Sequence, residues 1–264
     1  MSTNSADVAT PDPGSGLVLV LPGRGTGAGA GWDWVVEGWG LFTRAPLMWI
    51  ISIVVLVVAA IAVSLVPIVG SLAFQVLQPV FTAGFMAGCR ALEKNGEFEI
   101  EHLLAGFTRR FVPLMVVGLI TVAGWIAILL VFVSFVGLSI LGAVLTGDTG
   151  AMVNAIAASA FALALGTLVC LALMVPLMAA YWFAPALVML NGMAPLAAMK
   201  ASFFACLRNF APFLVYGLVM LVAAIIAMIP FGLGMLVWVP LAIASTYAAY
   251  RQIFTEPDAQ GRPE

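Results

Sequence analysis

Polar and apolar positions fall into long blocks along this chain. Predominantly apolar runs occupy residues 46–66, 70–92, 111–135, 152–190, 212–229 and 232–250. About 20 apolar residues in a helix bridge the ~30 Å hydrocarbon core of a bilayer. None of the runs carries Asp, Glu, Lys, Arg or His in its central portion, as a low-dielectric interior demands. The pattern predicts an all-α integral membrane protein with six transmembrane helices. The stretch 111–190 is longer than two crossings need, and its length alone leaves two or four open.

Ahead of the first, third and fifth runs the periodicity becomes amphipathic. Trp32, Val35, Val36, Trp39 and Phe42 recur at helical spacing, opposite Asp33, Glu37 and Arg44. Ile100, Leu103, Leu104, Phe107 and Phe111 repeat the format opposite Glu101, Thr108 and Arg109. Leu196, Met199, Phe203, Leu207 and Phe210 do so opposite Lys200 and Arg208. Each set suits a helix lying in the headgroup layer, apolar side down.

Each set then passes through a basic residue to a proline, Pro46, Pro113 or Pro212, at the start of the next apolar run. Proline in a first helical turn loses no hydrogen bond and breaks with the helix before it. The partner runs carry Pro79, Pro176 and Pro240, and Arg90 and Arg251 follow the first and last of these by eleven positions. The middle pair departs, with Leu187 at that place. The expected organisation of residues 31–254 is three repeats of a surface amphipathic helix plus a transmembrane hairpin.

Residues 1–30 are rich in Gly, Pro, Ser and Thr, with no basic start and no apolar stretch long enough for a signal peptide. They and residues 255–264 are expected to be disordered cytoplasmic tails, too polar to bury a core.

Composition sharpens this picture. Hydrophobic residues make up 64% of the 264 and charged residues 8%, against roughly a quarter charged in soluble domains. A water-facing surface cannot be built from so few charges. The ten Lys and Arg are Arg24, Arg44, Arg90, Lys94, Arg109, Arg110, Lys200, Arg208, Arg251 and Arg262. All fall near the ends of the chain or after the second and fourth runs. The alternate loops, 66–71, 138–150 and 229–234, contain none. By the positive-inside rule both termini are cytoplasmic and the number of crossings is even. Asp148 marks the outer tip of the middle hairpin.

Candidate chemistry is sparse. His102 stands beside Glu99 and Glu101, where a solvated helix start explains all three. Cys89, Cys170 and Cys206 are too scattered for a disulfide framework or a metal site. Hydrolase, metalloprotease and phosphate-loop signatures are absent. No catalytic residue, cofactor or metal is therefore expected, and the protein is expected not to be an enzyme. Gln75, Gln78 and Asn154 are the most polar groups in or near the spans. They form a candidate polar path, or else bond between helices. Gly84 and Gly88 permit close helix approach. Trp32, Trp39 and Arg44 are candidate interfacial anchors, with Trp34 and Trp49 in the same aromatic belt.

The segment Gly31-Trp-Asp-Trp-Val-Val-Glu-Gly-Trp-Gly-Leu-Phe-Thr-Arg-Ala-Pro-Leu-Met-Trp49 resembles the start of a family of uncharacterised bacterial inner-membrane proteins. There too a tryptophan-rich surface helix leads through Phe and Pro into the first span. The surface-helix-plus-hairpin format also looks like the membrane part of some glycerophosphodiester phosphodiesterases, without their catalytic domain. The resemblance implies six helices in a bacterial cytoplasmic membrane and no assigned activity. A non-enzymatic scaffold or helper fits these features, in contact with membrane lipid and with a membrane-protein partner or a second copy, not with nucleic acid. The alternative is a small permease or lipid-handling transporter whose path the three repeats frame.

Overall fold

The computed structural model describes residues 17–146 and 149–257. In chain order these form strand β1 (Leu17–Leu19) and helices α1 (Ala30–Arg44), α2 (Pro46–Ser64), α3 (Val69–Glu93), α4 (Glu101–Arg109) and α5 (Phe111–Thr146). Then come α6 (Thr149–Trp182), α7 (Ala184–Asn191), α8 (Pro195–Arg208), α9 (Phe210–Met228), α10 (Met235–Phe254) and strand β2 (Thr255–Pro257).

Five stretches are long and apolar enough to cross a membrane: Pro46–Ser64, Val69–Glu93, Phe111–Phe135, Ala160–Asn191 and Phe210–Met228. The molecule is a multi-pass helical membrane protein. The expected sixth span, α10, has the length, 20 residues, but falls short in hydropathy. The reason is visible in its packing. Its second half holds Ser245, Thr246, Tyr247, Tyr250, Arg251 and Gln252, and Ser245, Tyr247 and Tyr250 are buried. A helix packed against α1, α9 and α3 meets protein where a peripheral helix meets lipid, so it need not be apolar all round. In the middle of the chain the stretch Phe111–Phe135 lies within α5, and Ala160–Asn191 runs from inside α6 to the end of α7, so the expected run 152–190 is divided at Phe183.

By its contacts the chain forms two units, one of residues up to Gly118 with those from Ala179 onward, the other Leu119–Met178. In the first, the backbone breaks at Ala45 (φ −146°), Arg110 (φ −142°) and Asn209 (φ −107°). These breaks separate α1 from α2, α4 from α5 and α8 from α9. Pro46, Pro113 and Pro212 sit within the first turn after each break, where the missing N–H leaves nothing unsatisfied. Gly84 and Gly88 work inside the chain: a Cβ on Gly84 would lie 2.5 Å from the Leu103 carbonyl oxygen, and one on Gly88 would strike the Phe98 ring. They admit α4 and the segment before it against α3.

The amphipathic helices differ from the expected stripes. On α1, Trp32, Val36 and Trp39 are exposed while Phe42 is buried with Trp34, Gly31 and Gly38. On α8, Leu196 and Leu207 are exposed while Met199 is buried beside Ala198, Ser202 and Ala205. Each helix thus shows one large apolar face outward and packs a second face inward, made mostly of small residues on α8 and of glycines with Trp34 and Phe42 on α1. Hydrophobicity alone could not separate the two.

Residues 17–29 and 255–257 also depart from the expected disordered tails. β1 pairs antiparallel with β2, setting Leu17 against Pro257, Val18 against Glu256 and Leu19 against Thr255. Arg24 donates from Nε to the Gln252 carbonyl (2.6 Å) and from Nη2 to the Thr255 carbonyl (2.9 Å), and pairs with Glu256 at 3.1 Å. The Thr26 backbone N–H and hydroxyl both donate to Asn209 Oδ1, at 2.7 and 2.9 Å. Composition missed this because the segment takes its bonds from the ends of α8 and α10 and needs little apolar area of its own.

In the second unit the distal parts of α5 and α6 form a hairpin. Leu129, Leu130, Leu163, Leu168 and Leu171 are exposed. The helices approach at small residues: a Cβ on Gly124 would lie 2.7 Å from a Leu177 methyl, one on Gly166 would lie 3.1 Å from Phe135 Cβ, and Cys170 Sγ donates to the Ile128 carbonyl at 3.6 Å.

Candidate functional site

The basic residues in the last turns of α1, α3 and α10, namely Arg44, Arg90 and Arg251, stand where helix carbonyls lack intrahelical donors and partial negative charge gathers. Two uses follow. Arg44 Nη1 donates to the Leu92 carbonyl at 2.9 Å, and Arg90 Nη1 to the Leu190 carbonyl at 3.4 Å. Arg251 instead spreads its planar fork between two carboxylates, as guanidinium geometry permits. Its Nη2 donates to Glu37 Oε2 at 2.8 Å and its Nη1 pairs with Glu93 Oε1. The Tyr247 hydroxyl donates to the other oxygen of Glu93 at 2.5 Å.

This network divides two cavities. The larger, about 470 Å³, is lined by Glu37, Gly40, Arg44, Glu93, Tyr247 and Arg251 among others. The smaller, about 200 Å³, lies beyond Glu93, Tyr247 and Arg251 and adds Arg90, Lys94, Asn191 and Tyr250. There the Tyr250 hydroxyl donates to Asn191 Oδ1 at 2.6 Å. The Arg251, Glu37 and Glu93 side chains are 40, 42 and 25% exposed, so each ion pair contributes on the order of 0–1 kcal/mol. The pairs position donors and acceptors around open space. They add little stability. A third cavity, about 610 Å³ and mostly apolar, lies along α9 and α10, lined by Trp182, Phe213, Tyr216, Met220 and Trp238.

Of the residues singled out in the sequence, Arg44 belongs to the charged cavity, while Trp32 and Trp39 are exposed, 56 and 48%, on the outer face of α1. Trp34 and Trp49 are not belt residues. Trp34 is buried with its Nε1 donating to Gln252 Oε1 at 2.5 Å, and Trp49 is buried against the Phe85 and Phe98 rings. The spacing held the signal for Trp34. At about 100° per residue Trp32 and Trp39 nearly coincide, whereas Trp34 falls on the far side.

Gln75 and Gln78 are exposed on α3 and line none of the three cavities described above. The side chain of Asn154 and all of Asp148 lie outside the described residues. His102 is half-buried; its Nδ1 accepts from the Glu99 backbone N–H at 3.0 Å, the geometry of a side chain holding the start of α4. Among the described residues no group of three or more His, Cys, Asp and Glu side chains gathers to hold a metal ion. Glu93, Tyr247 and Asn191 escaped notice in the sequence, and Glu37 stood out only as part of the polar side of the first amphipathic set. The only trace was the pair of arginines that follow Pro79 and Pro240 at equal spacing.

The fold and this site define a multi-pass α-helical membrane protein with a charged cavity where helix ends meet. The chain belongs to the family of a Burkholderia thailandensis protein named "Probable inner membrane protein", with which it is 30% identical over 262 residues, covering 87% of this chain and 93% of that one. A multi-pass location in a bacterial inner membrane follows. No protein-family model matches the chain, and no solved structure matches it.

Proposed function

We propose that the protein is a non-enzymatic scaffold or helper of the inner membrane, with α1, α4 and α8 lying at the cytoplasmic surface in contact with lipid or a membrane partner. The observation that carries the reading is the set of outward apolar residues on or beside all three helices: Trp32, Val36 and Trp39; Leu104 with Ile100 just ahead of α4; Leu196, Phe204 and Leu207. On a water-facing helix such a face would be an aggregation hazard; in a headgroup layer it is an anchor.

In the same reading the chain crosses six times, α10 included, as three repeats of surface helix and hairpin, with both termini cytoplasmic. The pairing of β1 with β2 supports an even number of crossings, because it brings the two ends of the helical body to one side. The distribution of Lys and Arg supports the cytoplasmic side.

Extraction in native lipid followed by mass spectrometry tests the reading. Stoichiometric retention of a partner protein or a defined lipid is expected. Rapid solute flux through liposomes carrying the pure protein would overturn it. The second reading, a small permease or lipid-handling transporter, is favoured by the apolar cavity along α9 and α10, and that flux assay is its test.

A further inference from the structure

Three glycines lie within α1, and glycine weakens a helix interior relative to alanine. Two are required by packing. A Cβ on Gly31 would strike the Pro212 carbonyl oxygen, and one on Gly38 would lie 2.6 Å from the Ser245 backbone nitrogen. Gly40 is different: a Cβ there meets nothing within 4 Å, and the space it leaves is the charged cavity of about 470 Å³. No neighbour needs the side chain to be missing. The cavity falls within the roughly 300–1,000 Å³ range of small-molecule sites.

The walls are chemically two-sided. Arg44 is exposed, donates one N–H to the Leu92 carbonyl and pairs with no carboxylate among the described residues, so most of its guanidinium donors are open to solvent and to a ligand. Glu37 and Glu93 each share one oxygen with Arg251, and Tyr247 donates to Glu93. Each carboxylate oxygen has more than one acceptor site, so both can take a further cation. The formal charges of Arg44, Arg251, Glu37 and Glu93 cancel. A neutral cavity with separated charges matches a neutral ligand with separated charges. Trp32 and Trp39 on the outer face of the same helix put this opening at the level of lipid headgroups.

We infer that this cavity binds a zwitterionic headgroup bearing a phosphate and a primary ammonium, the phosphate on Arg44 and the ammonium on Glu37 and Glu93. A bilayer glycerophospholipid and a free phosphoethanolamine ester share that chemistry. The inference rests on the surface position proposed for α1.

The test is native mass spectrometry of the full chain, reconstituted in vesicles of equal parts phosphatidylethanolamine, phosphatidylglycerol and phosphatidylcholine, then extracted gently. Wild type and Gly40→Ala should retain phosphatidylethanolamine. Gly40→Leu, which puts a bulky side chain where a Cβ meets nothing within 4 Å, and Arg44→Gln should lose it. Equal retention by wild type and Gly40→Leu overturns the inference, as does retention of either other lipid as well as phosphatidylethanolamine. Displacement by soluble glycerophosphoethanolamine would assign the site to a free ester; no displacement assigns it to the bilayer. Quenching by brominated lipid, read as the part lost in Trp32→Phe with Trp39→Phe, reports on α1 independently. Its absence overturns the surface-helix reading. Quenching with no retained headgroup overturns the inference alone.

Discussion

The junction of α1 with α10 and the distal α5–α6 hairpin are both helix packings in an apolar chain, but they hold by different means. Among the described residues the hairpin contacts include Gly124 on Leu177, Gly166 on Phe135 and a thiol on a carbonyl, and most exposed side chains are leucine and other aliphatics. At the junction, Gly38 admits Ser245, Tyr216 and Ser245 hydroxyls meet at 3.0 Å, and Trp34, Glu37 and Arg251 supply directed bonds. Lipid tails are as apolar as leucine, so burying leucine in a membrane specifies little. Close backbone approach and polar pairing specify more. A function is therefore sought where the sequence is least like its average.

Identical substitutions give the sharpest break in this comparison. Gly38→Leu drives a side chain into the α10 backbone and should cost about 3 kcal/mol or more, seen as loss of a monodisperse peak in detergent. Gly137→Leu, where a Cβ meets nothing within 4 Å, should leave that peak unchanged. If both are silent, the junction is no more specific than the hairpin.

Asn209→Ala comes next. This buried amide accepts twice from Thr26 and donates to the Arg24 and Ala205 carbonyls. Its loss should cost about 2 kcal/mol and expose Arg24 to trypsin, which limited proteolysis reads directly. Arg251→Met should cost only about 1 kcal/mol, because its ion pairs are part-exposed. The fall should shrink in high salt, and thermal melts in detergent would show both. Leu130→Ala, 63% exposed on the hairpin, should stay within about 0.5 kcal/mol by the same melts. A larger loss there would mean that the hairpin face is covered by protein.

Much of the helical framework was legible because hydrocarbon is a demanding solvent. Apolar length, the breaks before Pro46, Pro113 and Pro212, and the exposed Trp32 and Trp39 all follow from local spacing. The candidate site was not legible in the same way. Glu37 and Glu93 sit 214 and 158 positions from Arg251, and nothing in either neighbourhood names the other as partner. Gln75 and Gln78 drew attention only because they are polar inside an apolar run, a property that does not say which way a side chain faces.

The sequence by itself determined that the chain lives in a membrane, where α2, α5 and α9 begin, and where its basic residues concentrate. Each depends on residues close in the chain and on their transfer between water and lipid. Only the tertiary structure decided that α10 is buried enough to carry tyrosines and an arginine, that residues 17–29 dock on its end, and that Gly40 borders an open charged cavity. Those outcomes depend on which helix faces meet, and hydrophobicity is blind to direction.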